Sequence, residues 1–553
     1  MEEGIDTRSV ARYLSLMFRP TSPQRSVFAV EHRLDASKRA RLERSWAHEY
    51  RAHALKLIDE ARFAKYFDAN NGRPNKSVRL VVSVLVLKER FDLTDEEALE
   101  QLEWNTAWHY ALDVLPEEAH TCQKTLHNFR ALLLGDDEGA GLFESTTARL
   151  IDAAHLRTGR QRQDSTHVLS NIKLLTRLGL FVQTVTKFLE ALRKAHPRLC
   201  GQLDEELRER YLDREGYFAD ARGSEAPPRL EQTALDVHQL VRRFEEHRGV
   251  AAMESFGLLA RLYAEQCVVP ASKTAEKVEL EEKPSSSSLQ SPADPDATYG
   301  HKGKGYEVQL TETCDEQNPF QVVTSVGVSA ANESDQHHVV PALEQIERTC
   351  GETPETLHAD AGYASGENII AAQERGTDLA APIGSKGPEA GTPTLKDFKF
   401  DEAGKQLLSC PRGETPVEQR EYANGKTRVA LFTRKQCSGC PMRSQCPVMK
   451  TRSGKRALRF RATEVALTRR RIEQETPQFR ERHRIRSGIE ATNSELKRAH
   501  RLSKLRVRRR ARVALSVRLK VMALNLKRYV THLARAAVAM AAPGPGETLT
   551  AVR

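Results

Sequence analysis

Residues 306–329 read YEVQLTETCDEQNPFQVVTSVGVS, two alternating, β-branched runs separated by the turn-rich CDEQNP. Such runs suit half-buried strands, and the short polar break between them predicts a β-hairpin. Downstream, Val340 to Cys350 has helical spacing, a short extended stretch TLHAD ends at Asp360, and Glu367 to Arg375 is helical again. Upstream, RQRQDSTHVLS from Arg160 reads as a strand ending in a turn, with Asp164 inside it. Strands alternating with helices predict an α/β core built around a mixed sheet.

Around that core the chain reads as mostly helical. Apolar residues recur at helical spacing in Val78 to Leu87 and Ala98 to Leu112, and Thr94 with Glu97 forms a capping box ahead of the latter. Trp104 and Trp108, four apart, are expected to share a buried helix face. Leu174 to Lys194, Glu205 to Tyr211 and Thr233 to Val268 read as a helical insertion. Pro270 to Pro295, with four serines at Ser285 to Ser288, has the composition of a flexible linker. The expected organisation is a helical N-terminal domain for DNA binding or multimerisation over 1–150, a first core strand over 151–170, and a helical insertion and linker over 171–290. The α/β core follows over 291–400, a Cys-rich insertion over 401–460, and basic C-terminal helices over 461–540.

At 553 residues the chain exceeds one compact core, and 39% hydrophobic with 29% charged residues fits a globular protein. The longest apolar run, Leu80 to Leu87, is too short to span a bilayer, and MEEGIDTRSV is not a secretory leader, so a cytoplasmic location is expected. Nine cysteines without an export signal point to reduced thiols, some binding metal. The net charge of +10 is concentrated. Glu481 to Val530 holds 16 basic and 3 acidic residues, or +13, while the remainder holds 69 and 72, or −3. A positive segment of that density suits a polyanion, because phosphate binding releases condensed counterions.

Phosphodiester chemistry commonly uses divalent metals held by carboxylates, since hard cations prefer oxygen ligands. Asp164 and Asp360 lie on or at the end of expected strands, where side chains project into a cleft. Glu490 lies on an expected helix among Arg482, Arg484, Arg486, Lys497 and Arg498, where a salt-bridge role is an equal alternative. Cys410, the CxxC pair Cys437 and Cys440, and Cys446 form a second constellation that resembles a zinc ribbon, with four thiolates able to close a tetrahedral site. His167, close to Asp164, suits a structural role better than a ligand role. Asp335, His337 and His338 are lower-ranked site candidates.

HRIRSGIEATNSELK, from His483 to Lys497, resembles the signature of DDE-class insertion-sequence transposases, in which Tyr, Arg, Glu and Lys recur at this spacing. Here the four positions are His483, Arg486, Glu490 and Lys497, with histidine in place of tyrosine. QDSTHV around Asp164, HADAGYAS around Asp360, and DPDATYGHKGKGYEVQLTET from Asp294 are similar to the same family, the last in a zinc-ribbon-containing subgroup. GRPNKSVRL and TLHNFRALLL are similar to its N-terminal helical domain. The resemblance implies a ribonuclease H-like catalytic core with Asp164, Asp360 and Glu490 as catalytic residues holding Mg²⁺ or Mn²⁺, and structural Zn²⁺ on the four cysteines. It also implies cleavage at transposon ends followed by joining of 3′-hydroxyls to target DNA. His483, Arg486 and Lys497 would contact DNA, with Arg498, Lys504 and Arg506 extending the basic stretch. The implied partners are double-stranded DNA, as terminal inverted repeats and target, and further copies of the chain in a bacterial nucleoid. LRVRRRARV, Leu505 to Val513, carries Arg509 and Arg510 where relatives often have glycine, which leaves the backbone turn there open. A relative that only binds DNA and a stand-alone metal-dependent nuclease are the alternatives; gene copies bounded by inverted repeats would favour the transposase.

Overall fold

A computed structural model describes residues 16–21, 29–68, 72–213, 225–268, 277–384, 394–422 and 425–541. The N-terminal region is helical. In α1 (Val78–Arg90), Ser77 caps the first turn by accepting from Leu80 N at 3.1 Å, and residues on every side of the helix are buried. The capping box read from Thr94 and Glu97 starts α2 (Asp95–Trp104). Asn105 then ends α2 and caps α3 (Thr106–Leu112), so the two tryptophans lie on different helices rather than one face. Trp104 is 74% exposed and Trp108 2%. The i, i+4 reading failed because a capping asparagine interrupts the helix between them. Trp108→Ala should cost about 3–5 kcal/mol in urea unfolding, and Trp104→Ala less than about 0.5 kcal/mol; equal effects would contradict this placement.

α4 (Gln123–Leu134) and α5 (Glu138–Ala154) lead into β1 (Arg160–Val168). The insertion follows as α6 (Arg177–Ala195), α7 (Ala226–Phe244) and α8 (Glu254–Gln266), with its own core around Phe181, Phe188, Phe244 and Leu259. The linker expected over 270–295 is corrected for 277–295, while 270–276 lie outside the described residues. Ser288, Ser291 and Asp294 are buried. Arg261 donates to the carbonyls of Ser287 and Pro295, Lys187 to that of Pro292, and Glu265 accepts from Leu289 N. Polar composition suggested flexibility, but side chains of the insertion satisfy this segment's backbone and tie it down.

β2 (Gly303–Thr313) and β3 (Val323–Ala330) form the hairpin, followed by α9 (Val339–Cys350), β4 (Thr356–His358), α10 (Gly366–Gln373) and β5 (Asp378–Ala380). The strand order is β3-β2-β1-β4-β5, with Thr298–Gly300 pairing with the start of β2. β2 pairs antiparallel with both β1 and β3, whereas β4 and β5 run parallel to β1. The Cys-rich region forms a separate sheet of β6 (Glu418–Glu421), β7 (Thr427–Phe432), β8 (Met449–Lys450) and β9 (Arg456–Arg461), in the order β6-β7-β9-β8.

The chain ends in α11 (Ala462–Glu473), α12 (Pro477–His483), α13 (Ile489–Ala499) and the long α14 (Arg510–Ala541). Arg509 enters α14 with a left-handed φ of +73°, so the turn expected of a glycine is made by an arginine. Its N–H donates to the buried Asp294 carboxylate at 3.0 Å. One continuous apolar core runs from Phe129 and Phe143 through Val308, Leu310 and Val326 to Ile489, Leu496 and Leu524, so the N-terminal helices and the sheet are packed together along α14. Among the described residues no helix is long and apolar enough to cross a membrane.

Candidate active site

Asp164 sits in mid-β1, opposite Leu310 of β2. Asp360 follows β4 directly, and its Oδ1 accepts from Gly362 N at 2.8 Å, which fixes the turn that carries it. Glu490 is the second residue of α13, and Arg486 lies in the 3₁₀ turn just before it. These residues, up to 326 positions apart, meet at one guanidinium. Arg486 Nη2 is 3.0 Å from Asp164 Oδ1 and 3.5 Å from Asp360 Oδ2, and its Nη1 is 3.6 Å from Glu490 Oε1. Asp164 is the least exposed of the three carboxylates and Glu490 the most exposed. Burial pushes the Asp164 carboxyl above its ordinary range; the charge of Asp360 adds to this and Arg486 opposes it.

Two supports escaped the sequence reading. Asn493, one turn beyond Glu490, donates from Nδ2 to Asp164 Oδ2 at 3.1 Å, while its Oδ1 is buried with no hydrogen-bond partner among the described residues. The i, i+3 spacing from Glu490 was the available signal. The second is a buried network that holds α13 and α14 on the sheet. Glu312 of β2, fully buried, accepts from Arg162 Nε at 2.9 Å, Thr492 Oγ1 at 2.6 Å and Arg528 Nη1 at 3.2 Å. Arg162 also donates to Ile485 O at 2.8 Å, passing so close to Gly488 that a β-carbon there would lie 1.9 Å from its Nη1. Glycine at 488 therefore makes room for the arginine that fastens the Glu490 turn to β1.

The other candidates separate clearly. His483 Nε2 bonds Ala359 O at 3.0 Å, and its ring stacks on Phe479 at 5.6 Å, so it braces the backbone next to Asp360. Lys497 is half-buried on the Glu490 helix, with no acidic partner among the described residues. Arg498 is exposed and bonds Ser494, and Lys504 is exposed. Arg506 is taken up by Asp92 at 2.8 Å and by the Asp92 and Leu93 carbonyls, docking the C-terminal segment on the N-terminal helices. His167 Nε2 bonds Lys304 O at 3.1 Å, in keeping with a structural role. Asp335 accepts from Gln309 at 2.8 Å, and Gln309 in turn accepts from Tyr363 near Asp360; His337 and His338 face Glu333 instead.

Cys410, Cys437, Cys440 and Cys446 line one small cavity under the β6-β7-β9-β8 sheet. Burial, and then the neighbouring thiols, push Cys437 and Cys446 upward. Among the described residues, no group of three or more His, Cys, Asp or Glu is drawn together in an arrangement that could hold a metal ion as it stands. At the acidic site the Arg486 guanidinium lies within 3.6 Å of all three carboxylates.

Residues 409–530 match the family described as Transposase DDE domain, and residues 44–132 match the family described as Transposase domain (DUF772). Neither a curated protein nor a solved structure matches the chain. The first match takes in the four cysteines, Arg486 and Glu490, and the second takes in α1 to α3. Together they indicate a transposase function.

Proposed function

We propose that the chain is a metal-dependent DNA transposase that cleaves transposon ends and joins the 3′-hydroxyls to target DNA at a site built from Asp164, Asp360 and Glu490. The observation that carries this reading is the convergence of these three carboxylates on Arg486. The strand order β3-β2-β1-β4-β5, with the last two strands parallel to the first, supports a ribonuclease H-like core. The donor set suits Mg²⁺ or Mn²⁺, because it is all oxygen and is flanked by the buried, unpartnered Oδ1 of Asn493. Asp164, Asp360 and Glu490 would hold the ions, which when bound lower the cost of deprotonating the attacking oxygen and stabilise the leaving one. Asn493 keeps Asp164 turned into the site. Arg486 and Lys497 would contact phosphates of the bound DNA, and His483 braces the backbone beside Asp360.

The test is cleavage of an end-bearing duplex by the full chain, with Mg²⁺ and with chelator. Metal-dependent nicking followed by joining supports the proposal; cutting without joining would favour a nuclease, and binding without cutting a DNA-binding relative. The Cys-rich module is proposed to hold a structural Zn²⁺, since four thiols facing one cavity fit tetrahedral coordination. Purified protein should carry about one zinc per chain, and Cys437→Ser with Cys440→Ser should remove it and loosen the module, read by metal analysis and limited proteolysis. Unchanged metal content and digestion pattern would contradict the zinc site.

A further inference from the structure

The positive charge outside the C-terminal segment has a second home. Thr394 to Arg461 carries 16 basic and 6 acidic residues, a net of +10. With both segments set aside, the rest of the chain holds 53 basic and 66 acidic residues, or −13. The module's sheet has two different faces. On the inner one, Ala430, Phe432, Leu458 and Phe460 pack against the cysteines. On the other, strand register places Arg420, Val429 and Arg459 side by side, with Thr427 and Arg461 one rung along. Val429, Leu431 and Ala457 are buried as a separate small apolar strip, while Arg420, Arg459 and Arg461 are exposed.

We propose that this outer face is a second DNA-contacting surface, in which Arg420, Arg459 and Arg461 engage the phosphates of a duplex. The inference rests on the reading that the chain acts on DNA and adds a surface outside the three-carboxylate site. Among the described residues none of the three arginines has an acidic ion-pair partner, and the acid on the face, Glu418, is engaged by Lys455 at 2.9 Å. Arg459 lies over the Tyr422 ring at 5.6 Å, a cation–π contact that steadies the guanidinium on this face. A symmetric contact with a second copy would press like charges together, whereas a polyanion satisfies all three at once. The module joins the core through α11, which packs on α10, the helix that follows the Asp360 turn. A duplex held on this face therefore belongs to the same complex as the cleavage site.

The test is equilibrium binding of the full chain to a labelled duplex lacking any transposon end, without metal, across a salt series. Replacing Arg420, Arg459 and Arg461 together by alanine should lower the slope of log affinity against log salt by about two to three and weaken binding roughly tenfold or more near 0.1 M salt. Replacing all three by lysine should restore most of the slope, a rescue that a merely structural effect would not give. If wild type binds and the alanine variant matches it in affinity and slope, this surface is wrong while the DNA reading stands. If wild type binds no duplex, the DNA reading itself falls. Loss of self-association with unchanged DNA binding would assign the face to a second copy and overturn the proposal, and an alanine variant that misfolds leaves the lysine series and the single Arg459→Ala to decide.

Discussion

Glu490→Gln should lower strand cleavage by roughly a thousandfold or more while leaving stability almost unchanged. The side chain is exposed, and among the described residues its one ion pair is to Arg486 at 3.6 Å, so the fold does not depend on it. What changes is charge. The neutral amide is a poor ligand for a hard cation and leaves Arg486 bound only to Asp164 and Asp360. Single-turnover cleavage of a labelled end-bearing duplex, with thermal melting as the control for folding, reads both quantities. A variant that cuts within about threefold of wild type would reduce Glu490 to the salt-bridge partner that its basic surroundings equally suggest.

Glu312→Ala should have the opposite profile, a large loss of stability and a loss of activity that follows from it. Glu312 is fully buried and holds two arginines, Arg162 and Arg528, together with Thr492 of the Glu490 helix. Removing it leaves two half-buried cations short of a partner, which costs about 3 kcal/mol, the lower end for a broken buried pair. Arg528 keeps Glu495 at 3.1 Å, but Arg162 retains only its bond to Ile485 O. Urea unfolding should show the drop, and Glu312→Gln, which keeps the shape and part of the hydrogen bonding, should recover some of it. A change below about 1 kcal/mol would mean the arginines find water or another partner, and that the network does not hold α13 in place.

Local features were legible in the sequence where neighbouring residues decide the outcome. The hairpin of β2 and β3, the Thr94 capping box and the spacing of Arg486 to Glu490 depend on alternation, cap chemistry and helical period, and all are found in the structure. Long-range features were not. The contacts of Glu312 with Arg162 and Arg528 span 150 and 216 positions, and no local pattern pairs them. Residues 277–295 look like a linker because their side chains are polar, yet their backbone is satisfied by Arg261, Lys187 and Glu265 from helices of the insertion. Arg506 and His483 read as DNA contacts from charge and family position, and the fold engages one with Asp92 and the other with Ala359. The charge count does not show these protein contacts. It also hid the positive charge of the Cys-rich module, because the acidic remainder cancels it in the total.

The central claim is that one site, made of Asp164, Asp360 and Glu490, performs the joining as well as the cutting. It is tested most directly by supplying the chain with a pre-cleaved transposon end bearing a free 3′-hydroxyl, a target plasmid and Mg²⁺, and measuring joined product for wild type and Asp164→Ala. Wild type should join the end and Asp164→Ala should give no product above background; joining by the variant at the wild-type rate would mean that Asp164 is not part of the joining site.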